Sequence, residues 1–117
     1  MKPSHDLAWA AGFFEGEGYV GFVKSTGYKK RKYPKFVLSI SQVSREPLDA
    51  FAETVQAGSV RGPYGPYGTT KQAYYQYQVS GPSALSIIRN LRPWLFSKGE
   101  QADAAVSQYL ENNCVET

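Results

Sequence analysis

The chain has 117 residues, enough for one domain around one modest core, and carries a formal charge of +3. Its single cysteine, Cys114, excludes an internal disulfide and a cysteine-based zinc site, and its single histidine, His5, excludes most imidazole metal sites. No stretch has the make-up of a signal peptide or a membrane span, so an intracellular protein that touches no membrane is expected.

Ser4 is placed to cap a first helix that runs to about Gly16, with Asp6 in the first turn, where the helix dipole favours an acid. Residues 8–18 are almost uncharged until they end in Glu15 and Glu17, interleaved with Gly16 and Gly18. Ala8, Gly12 and Gly16 recur every fourth residue and so fall on one stripe, flanked by Ala11 and Glu15. A stripe of small side chains lets a second backbone approach closely, and the segment is too short to cross a bilayer. It therefore predicts a contact with a second helix through Ala8, Ala11, Gly12, Glu15 and Gly16. A second copy would bring its own acids to the same place, and paired carboxylates at such a contact can hold a divalent metal.

A strand is expected over residues 19–24 or slightly beyond, followed by a long basic turn that begins at Ser25, Thr26 and Gly27. A second strand, 33–43, alternates Phe36, Leu38 and Ile40 with Val37, Ser39 and Ser41, which implies one face on a core and one face open. Pro34 suits a sheet edge or the start of a strand. Ser44 is placed to cap a second helix whose Leu48, Phe51, Ala52 and Val55 form an amphipathic stripe, ended by Ala57 and Gly58. A third strand opens at 59–61, residues 62–68 form a hairpin tip bearing Tyr64 and Tyr67, and a fourth strand covers 73–79. In that last strand Tyr75, Tyr77 and Val79 oppose Tyr74, Gln76 and Gln78. Pro82 is expected at the first position of a third helix packed through Leu85, Ile88 and Leu91. Residues 97–100 have the spacing of a capping box that opens a last helix with Ala102, Ala105, Val106 and Tyr109. Residues 112–117 are expected to fray.

The expected order is αββαββαα, an α+β fold in which a four-stranded antiparallel sheet is covered by helices on one face and leaves a polar face exposed. Charge follows the same division. No acid occurs between Glu17 and Glu46 or between Glu53 and Glu100, whereas Lys24, Lys29, Lys30, Arg31, Lys32, Lys35, Arg61 and Lys71 all lie in those strand and loop segments. One positive face suited to a polyanion is the simplest consequence.

Residues 10–18 resemble the nonapeptide that names the LAGLIDADG homing endonucleases. Gly12, Gly18 and the two acid positions match; Ala10 stands where leucine is usual, and both acids are glutamate. The likeness extends over residues 7–110, with Gln42 at the end of the second strand and Lys98 at the start of the last helix, where single-motif relatives carry a polar residue and a lysine. One copy of the motif implies a homodimer, each chain a single domain over 1–117. The resemblance implies a site-specific double-strand DNA endonuclease, encoded within an intron or an intein, that hydrolyses a long near-palindromic target. It implies Glu17 as metal ligand, joined by the Gly16 carbonyl, and a structural or helix-capping part for Glu15. Gln42 would orient water, and Lys98 would offset phosphate charge or help activate water. Against these stand plainer readings, Gln42 as a strand-end hydrogen-bonder and Lys98 as a solvated side chain. A lysine in the first turn of a helix opposes the dipole, which favours a functional reason for it.

Mg²⁺ is the expected cofactor, because it takes oxygen ligands and activates water without histidine; Mn²⁺ should replace it, and Ca²⁺ should bind without supporting cleavage. For DNA recognition, counting by two from Glu17 selects Tyr19, Gly21 and Val23; the facing strands add Val37, Ser39, Ser41, Arg61, Tyr64, Tyr67, Tyr74, Gln76 and Gln78. Glutamine and arginine pair with purine edges, and Val23 and Val37 are suited to thymine methyls. Lys24, Lys29, Lys30, Arg31, Lys32, Lys35 and Lys71 are expected on phosphates. No small-molecule substrate is expected. The competing reading is a non-cleaving nucleic-acid binder on the same fold, a splicing maturase or a transcription regulator.

Overall fold

The computed structural model describes residues 4–26, 32–66 and 72–112. Its elements are α1 (Ser4–Glu17), β1 (Gly18–Thr26), β2 (Lys32–Gln42), α2 (Glu46–Val55), β3 (Ser59–Tyr64), β4 (Tyr74–Ser80), α3 (Gly81–Leu91) and α4 (Gly99–Asn112), with one 3-10 turn at Arg92–Trp94. The αββαββαα order is as expected. The four strands form one antiparallel sheet in the order β1-β2-β4-β3. No described helix is long and apolar enough to cross a membrane.

Alternation in the strands decides which face is covered. Val20, Phe36, Leu38, Ile40, Tyr77 and Val79 share one side of the pleat, and all are buried with Ala10, Ala11 and Phe14 of α1, Leu48, Phe51 and Val55 of α2, Ile87, Ile88 and Leu91 of α3 and Ala102 and Ala105 of α4. The helices therefore lie on that side alone. Phe51 is the hub, with ring centroids 6.1 Å from Phe13, 6.3 Å from Phe14 and 5.0 Å from Tyr77. Tyr77 is fully buried; its hydroxyl donates to the Ala57 carbonyl at 2.9 Å, and burial raises the phenol above its ordinary range. Gly18 joins α1 to β1 where a Cβ would land on the Phe14 ring, so the chain turns tightly onto its own core.

Pro34 sits in β2 opposite Lys24 of β1, at a point that the β2–β4 pairing, which begins at Val37, does not reach. The proline thus occupies a locally open edge, as its missing N–H requires. β1 is one of the two outer strands of the sheet, with β3 the other. The Gln101 side-chain amide from α4 donates to the Val20 carbonyl at 2.8 Å and ties that strand to the last helix.

Several expected boundaries move. Ser4 is already part of α1, and β1 runs on through Ser25 to Thr26 instead of turning there. Arg45, not Ser44, precedes α2, and it makes no side-chain cap bond; its guanidinium pairs with Asp49 at 3.2 Å. α2 ends when Gln56 enters the left-handed region at φ 58°, ahead of Ala57 and Gly58. β3 extends to Tyr64 through a register shift between Arg61 and Tyr64, so the expected tip at 62–68 begins later. Gly81 takes the first position of α3 and Pro82 the second. The expected frayed tail lies outside the described residues apart from Asn112, which ends α4.

Truncating the hub has a defined cost. Phe51→Ala removes a fully buried ring and should destabilise the chain by about 3–5 kcal/mol. Urea unfolding would register this as a lower midpoint at unchanged m-value.

Candidate active site and nucleic-acid face

The site is built around the C-terminal end of α1. A helix leaves its last four carbonyls without intrahelical donors and concentrates partial negative charge there. Lys98 supplies one donor: its Nζ lies 2.7 Å from the Glu15 carbonyl oxygen. The Glu15 side chain runs the other way. Its carboxylate accepts the backbone N–H groups of Phe96 at 3.1 Å, Ser97 at 2.7 Å and Lys98 at 3.2 Å, and also the Ser97 hydroxyl. Lys98 thus caps the end of α1, and Glu15 gathers the loop just ahead of α4. The Arg92 guanidinium steadies the same loop from behind, on both oxygens of Asp103 in α4 at 2.8 and 2.9 Å.

These contacts correct two expectations. The Ser97 hydroxyl does not cap α4 in a local box, because Glu15 has taken it. Lys98 is not in the first turn of the last helix. It stands just before Gly99, its carbonyl accepts the Ala102 N–H at 2.8 Å, and its ammonium neutralises the negative pole of α1. The expected dipole misfit therefore does not arise. The Glu15 carboxyl is held down at about 2, chiefly by the Ser97 hydroxyl; the three backbone N–H bonds add to this, and desolvation opposes it.

Glu17 is exposed at the very end of α1. Gln42, the last residue of β2, reaches it from the neighbouring strand, with Nε2 donating to Glu17 Oε1 at 2.7 Å. Gln42 thus holds a carboxylate from the end of its strand, as the plainer of its two readings expected. Glu17 and Gln42 form one pair, Glu15 and Lys98 another, and both pairs sit on the same helix end.

Among the described residues no group of three or more His, Cys, Asp and Glu side chains is arranged to hold a metal. Glu15, with four donors on its carboxylate, has no capacity left for a cation. One chain therefore offers the Glu17 carboxylate and the Gly16 carbonyl. Mg²⁺ needs only one or two carboxylates when waters and phosphate oxygens fill its shell. This donor set fits a cation that keeps most of its shell as water or phosphate oxygens, and does not fit a cage made by one chain.

On the stripe of α1, Gly12 and Gly16 are exposed with open space where a Cβ would be, Ala8 is half-buried, and Trp9 beside them is 44% exposed. Ala11 does not belong with them: it is 0% exposed and packs in the chain's own core, one position too far round the helix. Glu15 is likewise turned to its own loop.

The uncovered sheet face is ordered in rows. Tyr19, Ser39, Gln78 and Ser59 pair in register across all four strands, and Ser41, Gln76 and Arg61 form the next row. Tyr64 and Tyr74 pair beyond them with ring centroids 5.7 Å apart. On the other side, Gly21 pairs with Val37, and Val23 with Lys35. Tyr19, Val23, Lys35, Ser41, Arg61 and Gln78 are exposed, while Gly21, Ser39, Tyr64, Tyr74 and Gln76 are half-buried. Val37 is only 1% exposed, so it cannot touch a thymine methyl as expected. Lys24 and Lys32 lie in the backbone of β1 and β2, and their side chains are outside the described set. Lys29, Lys30, Arg31, Tyr67 and Lys71 lie outside the described residues altogether. Counting back by two from Arg61 would have found Ser59; nothing local in the sequence marks Ser97 as the partner of Glu15.

No protein-family model matches the chain, and no curated protein sequence does. Solved structures match closely in shape. I-CvuI, a homing endonuclease in complex with its target in the presence of calcium, gives a TM-score of 0.74 at 21% identity, covering 96% of this chain and 73% of that one. The archaeal intron-encoded homing endonuclease I-Vdi141I, complexed with DNA, gives 0.73 at 18% identity, with 96% and 72% covered. The LAGLIDADG meganuclease I-CpaMI, bound to uncleaved DNA, gives 0.66 at 14% identity and covers 96% of this chain but 40% of its own. The chain is similar to these LAGLIDADG homing endonucleases and has their fold.

The clamp has a pH signature. A carboxyl lowered from 4.5 to about 2 on folding contributes stability that is complete above pH 4.5 and is lost as pH falls through 2. Glu15→Gln should therefore melt lower than the parent at neutral pH. The gap between the two melting temperatures should close as pH falls from 4.5 towards 2 in a series of thermal scans.

Proposed function

We propose that this chain, which carries the fold of the LAGLIDADG homing endonucleases, is one half of a homodimeric, divalent-metal-dependent endonuclease that cuts double-stranded DNA at a long, near-palindromic site. The observation that carries the reading is the exposed Glu17 carboxylate, aimed by Gln42, at the end of a helix whose outer face is bare at Gly12 and Gly16. Two such helices meeting along Ala8, Gly12 and Gly16 bring two Glu17 side chains together over the duplex. The relatives lend support to the metal and the substrate, since I-CvuI was crystallised on DNA with calcium and, on another target, with 2 mM magnesium and the DNA not cleaved.

In this reading Glu17 and the Gly16 carbonyl hold the cation, with Mn²⁺ able to replace Mg²⁺ and Ca²⁺ supporting binding alone. When bound, the cation supplies Lewis-acid stabilisation of the phosphate and of the leaving oxygen. Gln42 fixes the carboxylate in one orientation, so that no reorganisation is needed when the phosphate arrives. Lys98 and Glu15 keep the helix end rigid, and Lys98 adds a positive charge near the scissile phosphate. The sheet face carries recognition: Arg61, Gln76 and Gln78 on purine edges, the tyrosines and serines between them, and Lys35 with the basic turn on phosphates.

One observation favours the non-cleaving alternative. The Lys98 ammonium donates to the Glu15 carbonyl, the Glu15 carboxylate is taken up by its loop, and Gln42 Nε2 is engaged on Glu17, so each of these groups already has a partner within the chain. Cleavage of duplexes from a randomised palindromic library in Mg²⁺ separates the two readings, and binding in Ca²⁺ without cutting in Mg²⁺ or Mn²⁺ would support the binder. Glu17→Gln should bind the selected duplex and cut none of it. Gln42→Leu should retain binding and cut about 10–100-fold more slowly, with its need for Mg²⁺ raised.

Affinity for the selected duplex should fall linearly on a log–log plot against salt, with a slope of about −0.9 for each phosphate neutralised. A solution mass of one subunit per duplex would overturn the homodimer.

A further inference from the structure

Tyr19 does not project from the sheet as an isolated side chain would. Its ring lies lengthwise over Gly21: a Cβ at Gly21 would come within 2.8 Å of the ring carbon Cζ and closer still to the hydroxyl oxygen. The hydroxyl is turned back on the strand and donates to the Phe22 carbonyl at 3.3 Å, a long bond that adds direction to the steric seat. The glycine is thus a slot for the tyrosine. Its register partner, Val37, is 1% exposed, and the next exposed position on the strand, Val23, is 38% exposed. Tyr19 as a residue remains 42% exposed. Tyr19, at the start of β1, therefore presents one flat aromatic plate with its hydroxyl proton turned to the strand.

We propose that Tyr19, seated on Gly21, is a specificity-determining residue that recognises the 5-methyl group of a thymine in the major groove. The inference rests on the DNA-binding reading above. The occupant follows from chemistry. No acid lies between Glu17 and Glu46, whereas Lys35 is exposed beside Val23, and Ser39 and Gln78 continue the Tyr19 row, so the plate is set in a surface suited to a polyanion. Among the groups that the four bases display in the major groove, the thymine methyl is the apolar one. A plate whose hydroxyl proton is turned to the strand offers that methyl a surface and offers base acceptors no donor. The ring is already fixed, so contact costs little rotamer freedom. The remaining rows, with Gln76, Gln78 and Arg61, have hydrogen-bonding ends and read by a different chemistry.

The test uses a duplex selected by the full chain from a randomised palindromic library in Ca²⁺. Each thymine is then replaced singly by deoxyuridine, which removes the methyl and nothing else. One position in each half-site should lose roughly fourfold in affinity, the worth of one buried methyl. Tyr19→Phe should keep that sensitivity. Tyr19→Ser should abolish it at that position alone, and so should Gly21→Ala, whose added Cβ displaces the ring while leaving Tyr19 in place. Selected binding with no uracil-sensitive position overturns the proposal, as does a sensitive position that persists in both Tyr19→Ser and Gly21→Ala. Failure to select any duplex would instead bring down the DNA-binding reading on which the proposal stands.

Discussion

The architecture of the site depends on a carboxylate that binds no metal. Glu15 draws three consecutive backbone N–H groups and a hydroxyl onto its two oxygens, and the lysine at the end of that loop returns to the Glu15 carbonyl. A helix C-terminus and the loop ahead of another helix, 81 residues on in the chain at Phe96, are joined by bonds that run in both directions. Opposite partial charges of the two helix poles are each met by a full charge of the right sign. Because Glu17 is only two residues beyond Glu15, whatever holds the helix end also sets where Glu17 stands. The two glutamates have the same chemistry and opposite duties, and the distinction is made by what surrounds them: a loop full of donors for one, a single amide and open space for the other.

Elements governed by local periodicity were legible in the sequence. The stripe of Leu48, Phe51 and Val55 and the alternation of Phe36, Leu38 and Ile40 each announce a buried face, and both faces are buried. Topology followed from element order, since two hairpins separated by helices have few ways to form one sheet. What was not legible was competition between segments. A Ser-x-x-Glu spacing at residues 97–100 looks like a self-contained cap, but a distant carboxylate reaches the serine first. Ala11 fits a small-residue pattern, yet the true interface between helix and core runs one position over from the pattern's edge. Val37 alternates with the core residues and is buried all the same, paired between Gly21 and Ser80, so strand parity alone does not decide burial on the open face.

The candidate site was legible where it rested on residue type and less so where it rested on geometry. Glu17, Gln42 and Lys98 do converge on one helix end, although each has a partner the sequence did not name. Gln42 grips Glu17 and Lys98 grips a carbonyl. Both interactions are between side chain or backbone groups whose distance in the chain is large, and no local rule of spacing encodes them. Residue chemistry narrows the candidates; the fold assigns the pairings.

The amide of Gln101 on the Val20 carbonyl bears on how copies of the chain avoid one another. An outer strand normally exposes a ladder of unmet donors and acceptors, an invitation to any other strand. Here one rung next to the site is already taken by a side chain from the last helix, and a strand arriving from outside would find its hydrogen-bond sequence interrupted at that point. The β1 edge of the sheet is thereby blunted, and the side of the first helix left open at Gly12 and Gly16 remains as a surface where another backbone has room to approach.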